Sequence, residues 1–205
     1  MPKENIVLSY RFDELSEEVQ EKTLDRYRDF INMDMDFDCY GFLLDDWKER
    51  LESIGFTDAK IYFSGFSSQG DGSVFEASID NEKLLDSLIM CNSYDTAKQA
   101  EKCMFLCAEG FLNFSIQRNS FANHYSHEKT AYIQSEIENG KISDSSYWNG
   151  IIDDITEATE ELRLDLCRQI YKELENEYDF QTSDAAIRYT FEANEYEFTI
   201  DGKIF

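Results

Sequence analysis

The chain has 205 residues and a formal net charge of −24 at neutral pH, from 43 Asp and Glu against 19 Lys and Arg. That balance disfavours direct nucleic-acid binding, whose affinity comes mainly from Lys and Arg, and favours basic protein partners. Hydrophobic residues at 42% and aromatics at 15% exclude the composition of a disordered chain, and no apolar run approaches the roughly 20 residues that span a bilayer.

The acids are spread along the chain. Residues 1–60 carry 16 acids against 8 bases, residues 61–152 carry 12 against 6, and residues 153–205 carry 15 against 5. No linker rich in Pro, Gly or Ser cuts the sequence, and the single proline is Pro2, so one domain over 1–205 is expected. The N-terminus lacks a signal peptide's apolar stretch. Five cysteines (Cys39, Cys91, Cys103, Cys107, Cys167) are an odd set that argues against a secreted disulfide framework. An intracellular protein without membrane contact is expected.

In chain order, Asn5–Phe12 reads as an opening strand and Ser16 as the N-cap of a first helix, with Leu24, Tyr27, Phe30 and Ile31 on its apolar stripe. A second helix over Tyr40–Ile54 carries Leu43, Leu44, Trp47, Leu51 and Ile54 at helical spacing and stops at Gly55. Lys60–Ser64 and Ser73–Asp80 read as paired strands around a Gly-rich loop, followed by helices at Leu84–Met90 and Ala97–Ala108. Phe111–Gln117 and Thr130–Glu138 alternate as strands and are expected to join the first pair in one central antiparallel sheet. Trp148–Tyr178 is the longest helical pattern, with Ile151, Ile155, Ala158, Leu162, Leu166, Ile170 and Leu174 on one face and many acids on the other. A short helix over Ser183–Phe191 and a hairpin turning at Asp201-Gly202 end the chain. The class is α+β: a central antiparallel sheet, flanking helices and a long acidic helix near the C-terminus.

Few motifs carry chemistry. The loop Ser67, Ser68, Gln69, Gly70, Asp71, Gly72 could nest an anion, but it lacks the Gly-Lys-Ser/Thr ending of a phosphate loop and leads into a strand. As a plain turn, it would use Gly70 and Gly72 for positive φ. Asp34 to Asp38 with Asp45 imitates half a calcium loop, but Cys39 stands where the turn glycine belongs. His124 and His127, beside Glu128, are weak metal candidates in a polar connection, without a third ligand identifiable. Cys103 and Cys107 share a helix face and read as core. No nucleophile–His–acid set appears, so no catalytic residue, cofactor or metal is assigned and a non-enzyme is expected.

Three segments carry a family resemblance: Phe12–Glu18, Ile61–Glu76 (containing Ser-Gly-Phe-Ser-Ser-Gln-Gly-Asp-Gly-Ser-Val-Phe-Glu), and Thr182–Ile187 with Ala193–Gly202 (Ala-Asn-Glu-Tyr-Glu-Phe-Thr-Ile-Asp-Gly). Together they resemble a family of phage- and prophage-encoded acidic proteins of largely unassigned function, some labelled antitoxin-like. The resemblance implies a soluble protein in the cytoplasm of a bacterial host and brings no catalytic residues.

In that context the acids take on a role. Carboxylates three or four apart on a helix lie side by side and can imitate a phosphate track. Glu157, Glu160, Glu161 and Asp165 form such a row, continued by Glu173 and Glu175, and a second cluster contains Glu17 and Glu21. The expected function is inhibition of a basic, nucleic-acid-binding host defence protein, of anti-CRISPR or anti-restriction type, by nucleic-acid mimicry. The alternatives are an antitoxin-like protein that neutralises a toxin, and a small enzyme or ligand-binding domain centred on the Gln69–Gly72 loop.

Overall fold

The computed structural model describes residues 8–33, 40–66, 68–91, 93–119, 126–138 and 145–205. The order is α1 (Glu17–Met33), α2 (Gly41–Ile54), β1 (Phe56–Ser64), β2 (Gly72–Ile79), α3 (Asn81–Cys91), α4 (Tyr94–Ala108), β3 (Leu112–Arg118), β4 (Ala131–Ile137), α5 (Ser145–Gln181) and α6 (Asp184–Ala193). The fold is α+β, with antiparallel strands and a long helix, α5, that carries ten acids against three bases. The chain divides into two compact units: residues 1–40 with 175–205, and residues 41–174. The first is made from both chain ends, and the division falls inside α5.

The terminal unit is an aromatic cluster. Phe12, Leu15, Leu24, Ile187, Phe191 and Phe198 are buried together, with Tyr10, Val19, Tyr27, Ile31 and Tyr196 packed against them. Phe191, from α6, sits at the centre, its ring centroid 4.9 Å from Tyr27, 5.0 Å from Phe198 and 5.2 Å from Phe12. Tyr27 and Phe198 meet the Phe191 ring edge-on and Phe12 is tilted against it, contacts that add to the area term of burial. Ser16 occupies the position before α1 and its carbonyl accepts the Gln20 N–H at 2.8 Å, as the N-cap reading expects. Ser183 caps α6, its hydroxyl accepting the Ala186 N–H.

The opening strand is corrected. Residues 5–7 lie outside the described residues, and Tyr10 makes one isolated bridge, to Phe198. The chain then tightens into a 3-10 turn at Phe12–Glu14, where the Glu14 carboxylate accepts the Arg11 N–H at 2.8 Å and Phe12 turns inward. At the other end Phe198 also bridges Ile204, and the Thr199 N–H donates to Lys203 across the Asp201-Gly202 turn. Gly202 has φ +74°, and its carbonyl accepts from the Thr23 hydroxyl and from Arg26.

In the unit of residues 41–174, β1 pairs antiparallel with β2 (Phe56 opposite Ile79, Ser64 opposite Gly72) and β3 with β4 (Leu112 opposite Ile137, Arg118 opposite Ala131). These are two two-stranded sheets rather than one four-stranded sheet. Side chains take the place of further strands. The Phe114 N–H donates to Asn81 Oδ1 at 3.2 Å, and the Ile133 N–H donates to Glu160 Oε2 at 3.0 Å. One backbone donor on each of β3 and β4 is thus met by a side chain where a neighbouring strand would otherwise supply the acceptor. Trp47, Leu51, Phe56, Phe75, Leu84, Leu85 and Leu88 are buried, as are Ile151, Ile155, Leu166, Ile170 and Leu174 of the expected α5 stripe.

Candidate functional site

The acidic row on α5 divides in two. Glu157, Glu161 and Asp165 are exposed, and Asp153 continues the series four residues earlier. None of these four forms an ion pair among the described residues; Asp165 accepts a hydrogen bond from the neutral amide of Gln169 and feels the Arg168 guanidinium, which is itself paired with Glu128. Their spacing of four residues places them on one helix face, about 6 Å apart along an axis of about 18 Å.

Glu160 does not belong to that surface. Its carboxylate accepts from Arg163 Nε at 2.8 Å and from Arg163 Nη2 at 2.6 Å, and also holds the edge of β4 through the Ile133 N–H. Arg163 is fully buried. Its Nη2 also donates to the Ala131 carbonyl at 2.7 Å and the Glu128 carbonyl at 3.0 Å. Glu160 neutralises a buried guanidinium and ties α5 to β4. A residue with acids at three-residue spacing reads as surface in a sequence; an Arg three positions later was the signal that it is not.

Glu173 is likewise committed to the fold. It accepts the Trp47 indole N–H at 2.9 Å and pairs with Arg50 at 3.2 Å. Glu175 is half-buried and engaged. On α1, Glu17 and Glu21 are exposed without an ion pair among the described residues, while neighbouring Glu18 pairs with Lys22 at 2.6 Å.

The Gly-rich loop and the histidine connection, far apart in sequence, meet in space. Asp71, Gly72 and His127 line a cavity of about 190 Å³ with Glu128, Arg168 and Lys172. The polar groups there serve the fold. Asp71 accepts the Ser68 N–H at 2.5 Å, Glu128 holds Arg168 in a two-pronged pair at 3.0 and 2.9 Å, and His127 Nδ1 accepts the Lys129 N–H at 3.2 Å. Ser73 donates its hydroxyl to the Cys167 carbonyl.

Positive φ in this turn belongs to Gly65, at +53°, with the Asp71 carboxylate packed against it, and not to Gly70 or Gly72. Gly72 is needed for closeness instead: a Cβ there would lie 3.3 Å from the His127 Cα. Gln69 and Gly70 are exposed and do not line the cavity. Ser67 and His124 lie outside the described residues, as do Asp34 to Asp38 of the calcium-like segment; Asp45 pairs with Lys48 at 2.7 Å.

Cys103 and Cys167 are buried and Cys107 half-buried. Burial pushes all three thiols up, Cys103 to about 12 with Cys107 beside it adding to the effect, and Cys107 and Cys167 to about 11. They are packing thiols. Among the described residues no group of three His, Cys, Asp or Glu could hold a metal ion. No described helix is long and apolar enough to cross a membrane.

A family model described as a domain of unknown function (DUF8835) matches residues 39–184, well over half of the 205. The chain belongs to this family. No curated protein and no solved structure matches it. The DUF8835 region contains all of the unit of residues 41–174: both sheets, the buried Arg163, the loop cavity and the exposed row from Asp153 to Asp165. Residues 1–38 and 185–205, most of the terminal unit, fall outside it.

Proposed function

We propose that the chain is a non-enzymatic, phage-encoded interaction protein that binds a basic, nucleic-acid-binding defence protein of the bacterial host and blocks it by imitating nucleic acid. One observation carries this reading: Asp153, Glu157, Glu161 and Asp165 are exposed on one face of α5 without an ion pair among the described residues. A carboxylate about every 6 Å corresponds to about every second phosphate along one strand of a duplex. Uncompensated charge on a rigid helix steers basic partners and gives fast, salt-sensitive association. The net charge of −24 supplies the long-range field, and the row supplies a local pattern.

Immobilised protein is tested against a bacterial lysate. The reading expects a captured partner that is released by added DNA or RNA and by salt, and that is lost from Glu157→Lys/Glu161→Lys/Asp165→Lys. Glu101→Lys/Glu109→Lys, exposed in the middle and at the C-terminal cap of α4, keeps it. A partner retained equally by both variants, or indifferent to nucleic acid, overturns mimicry by this row. The reading also expects the protein itself to shift no duplex DNA or RNA in a gel at physiological salt.

A second reading is favoured by one observation. The loop cavity draws Asp71 and His127 together from two segments more than 50 residues apart. Small-ligand binding there would be lost in Lys172→Met with the row intact, which a thermal-shift screen of small anions detects.

A further inference from the structure

The terminal unit carries an exposed apolar groove. One hollow of about 640 Å³ lies where α1, α6 and the last turn of α5 meet, walled by Phe30, Ile31, Phe180 and Tyr189. A second, of about 380 Å³, is walled by Tyr27, Phe30 and Ile204. Tyr27 and Phe30 line both, so the two hollows form one groove along α1, and every residue of it belongs to the terminal unit. Phe30 is 56% exposed, Phe180 65%, Tyr189 71% and Ile204 44%. Apolar side chains scattered singly on a surface need no account, but four around one groove mark a contact surface.

The charges beside the groove decide its occupant. The bases there are already engaged: Arg26 donates to the Gly202 carbonyl, Arg28 pairs with Asp25 and Asp184, and Lys203 pairs with Asp201. The acids are not. Asp29 and Asp179 directly precede Phe30 and Phe180 on their helices, and Glu192 follows Tyr189 by three residues. Such neighbours border the apolar face of a helix, and all three are exposed without an ion pair among the described residues. The unit as a whole holds 19 acids against 7 bases. A second copy of the chain would bring the same acids against these, which opposes self-association. A groove between helices, apolar within and acidic along its border, is the complement of an amphipathic helix whose flanks are Lys and Arg.

Resting on the reading of the chain as a binder of a basic protein, we propose that this groove docks a cationic amphipathic helix of that partner. Apolar side chains at three- and four-residue spacing enter the two hollows, and the helix's Lys and Arg face Asp29, Asp179 and Glu192. Apart from Phe180 and Gln181, the groove lies outside the 39–184 stretch that defines the family. The family region thus carries the acidic row, and the chain ends add a grip of different chemistry. Burial of apolar anchors gives an affinity that salt does not screen, and the acids select among helices that could fill the groove.

The test is an NMR titration of the full chain, at physiological salt, with an acetylated and amidated Leu/Lys peptide of about 18 residues, long enough to hold a helix. Its Leu residues follow the i, i+3, i+4, i+7 pattern and every other residue is Lys. Saturable shifts of the Phe30, Phe180 and Tyr189 ring signals are expected. A peptide of the same composition with the Leu spacing scrambled, and one with Glu in place of every Lys, should each bind at least about tenfold more weakly. Phe30→Ser/Tyr189→Ser should weaken the Leu/Lys helix about tenfold through lost apolar contact, with little change in Tm because both side chains are exposed. Asp29→Asn/Asp179→Asn/Glu192→Gln, which leaves the groove's shape intact, should weaken it about fivefold. Glu157→Gln/Glu161→Gln/Asp165→Asn should change it less than about twofold, because screened charges outside the groove add little.

Equal binding of the scrambled peptide, absence of these ring shifts, or equal weakening by the row variant overturns the groove as a helix site. Equal binding of the Leu/Glu peptide overturns the cationic occupant. A dimer seen by sedimentation and abolished in Phe30→Ser/Tyr189→Ser also overturns the proposal, by making the groove a contact between copies. These failures leave the proposed function standing as long as the row variants still lose the captured partner. Conversely, ring shifts with a row-indifferent partner sink the mimicry and keep the groove.

Discussion

Arg163 and Glu160, one helical turn apart on α5, form a two-pronged pair at 2.8 and 2.6 Å in which the guanidinium is fully buried and the carboxylate partly exposed. The pair is the junction of the family region: the same guanidinium holds the carbonyls of Glu128 and Ala131, and the same carboxylate holds the edge of β4 at Ile133. Glu160 therefore acts on the fold, and its neighbours Glu157 and Glu161 stand exposed without an ion pair among the described residues.

Arg163→Met should destabilise the protein by about 3–5 kcal/mol, because it leaves two carbonyls and a carboxylate without their donor. In a chain of this length that lowers Tm by roughly 10 °C. Glu160→Lys should be at least as damaging, since it sets two cations together at a buried site. Glu157→Lys should stay within about 0.5 kcal/mol of the parent. Chemical denaturation of the three variants checks the division of the row into structural and free acids; equal stability of Glu160→Lys and Glu157→Lys would contradict it.

Glu195 stands at φ +52° just after α6, where the Tyr196 N–H reaches back to the Phe191 carbonyl. That is the helix-ending position at which glycine is favoured, since a side chain costs about 1 kcal/mol in the left-handed region. Glu195→Gly should raise stability by about 0.5–1 kcal/mol. Thermal unfolding of the variant reads the gain, and an unchanged or lower Tm would contradict the cap assignment.

The Gly-rich loop should respond to substitution in an order set by its geometry. Gly65→Val forces a β-branched residue to φ +53° against the Asp71 carboxylate and should cost about 2 kcal/mol or more. Asp71→Ala removes the acceptor of the Ser68 N–H and should cost about 1 kcal/mol. Gln69→Ala and Gly70→Ala, both exposed, should stay within about 0.5 kcal/mol. Thermal unfolding of the four variants gives the ranking directly, and a large loss in Gly70→Ala would mean that the turn is built differently.

Alkylation separates the thiols. Cys103, Cys107 and Cys167 are held protonated well above pH 8 by burial, and only the thiolate reacts. Iodoacetamide at pH 8 should label exposed Cys91 in the native protein and leave these three until denaturant is added. Mass spectrometry of the labelled peptides reads the result; rapid native labelling of Cys167 would show that the α5 junction opens.

Much of the fold is legible in the sequence because burial imposes periodicity. Leu44, Trp47 and Leu51 mark α2, and Ile151 to Leu174 mark α5, since a helix that buries one face must repeat apolar residues at that spacing. The strands of both hairpins and the turn at Asp201-Gly202 are local in the same sense, written in alternation and in one favoured dipeptide. The net charge is fixed by composition alone. Which acids are free is another matter, because a charge belongs to the surface or to the fold only according to what lies across from it. Glu160 and Glu157 look alike in the sequence and differ because Arg163 and β4 come up against one and not the other. The break into two sheets has the same origin, since the side chains of Asn81 and Glu160 reach strand edges 33 and 27 residues away in the chain. The cavity at Phe12 joins residues 11–13 to residues 188–197, and no local pattern announces it. Only the folding of the two chain ends onto one aromatic cluster brings Arg11 and Asp13 beside Arg188, Glu192, Glu195 and Glu197.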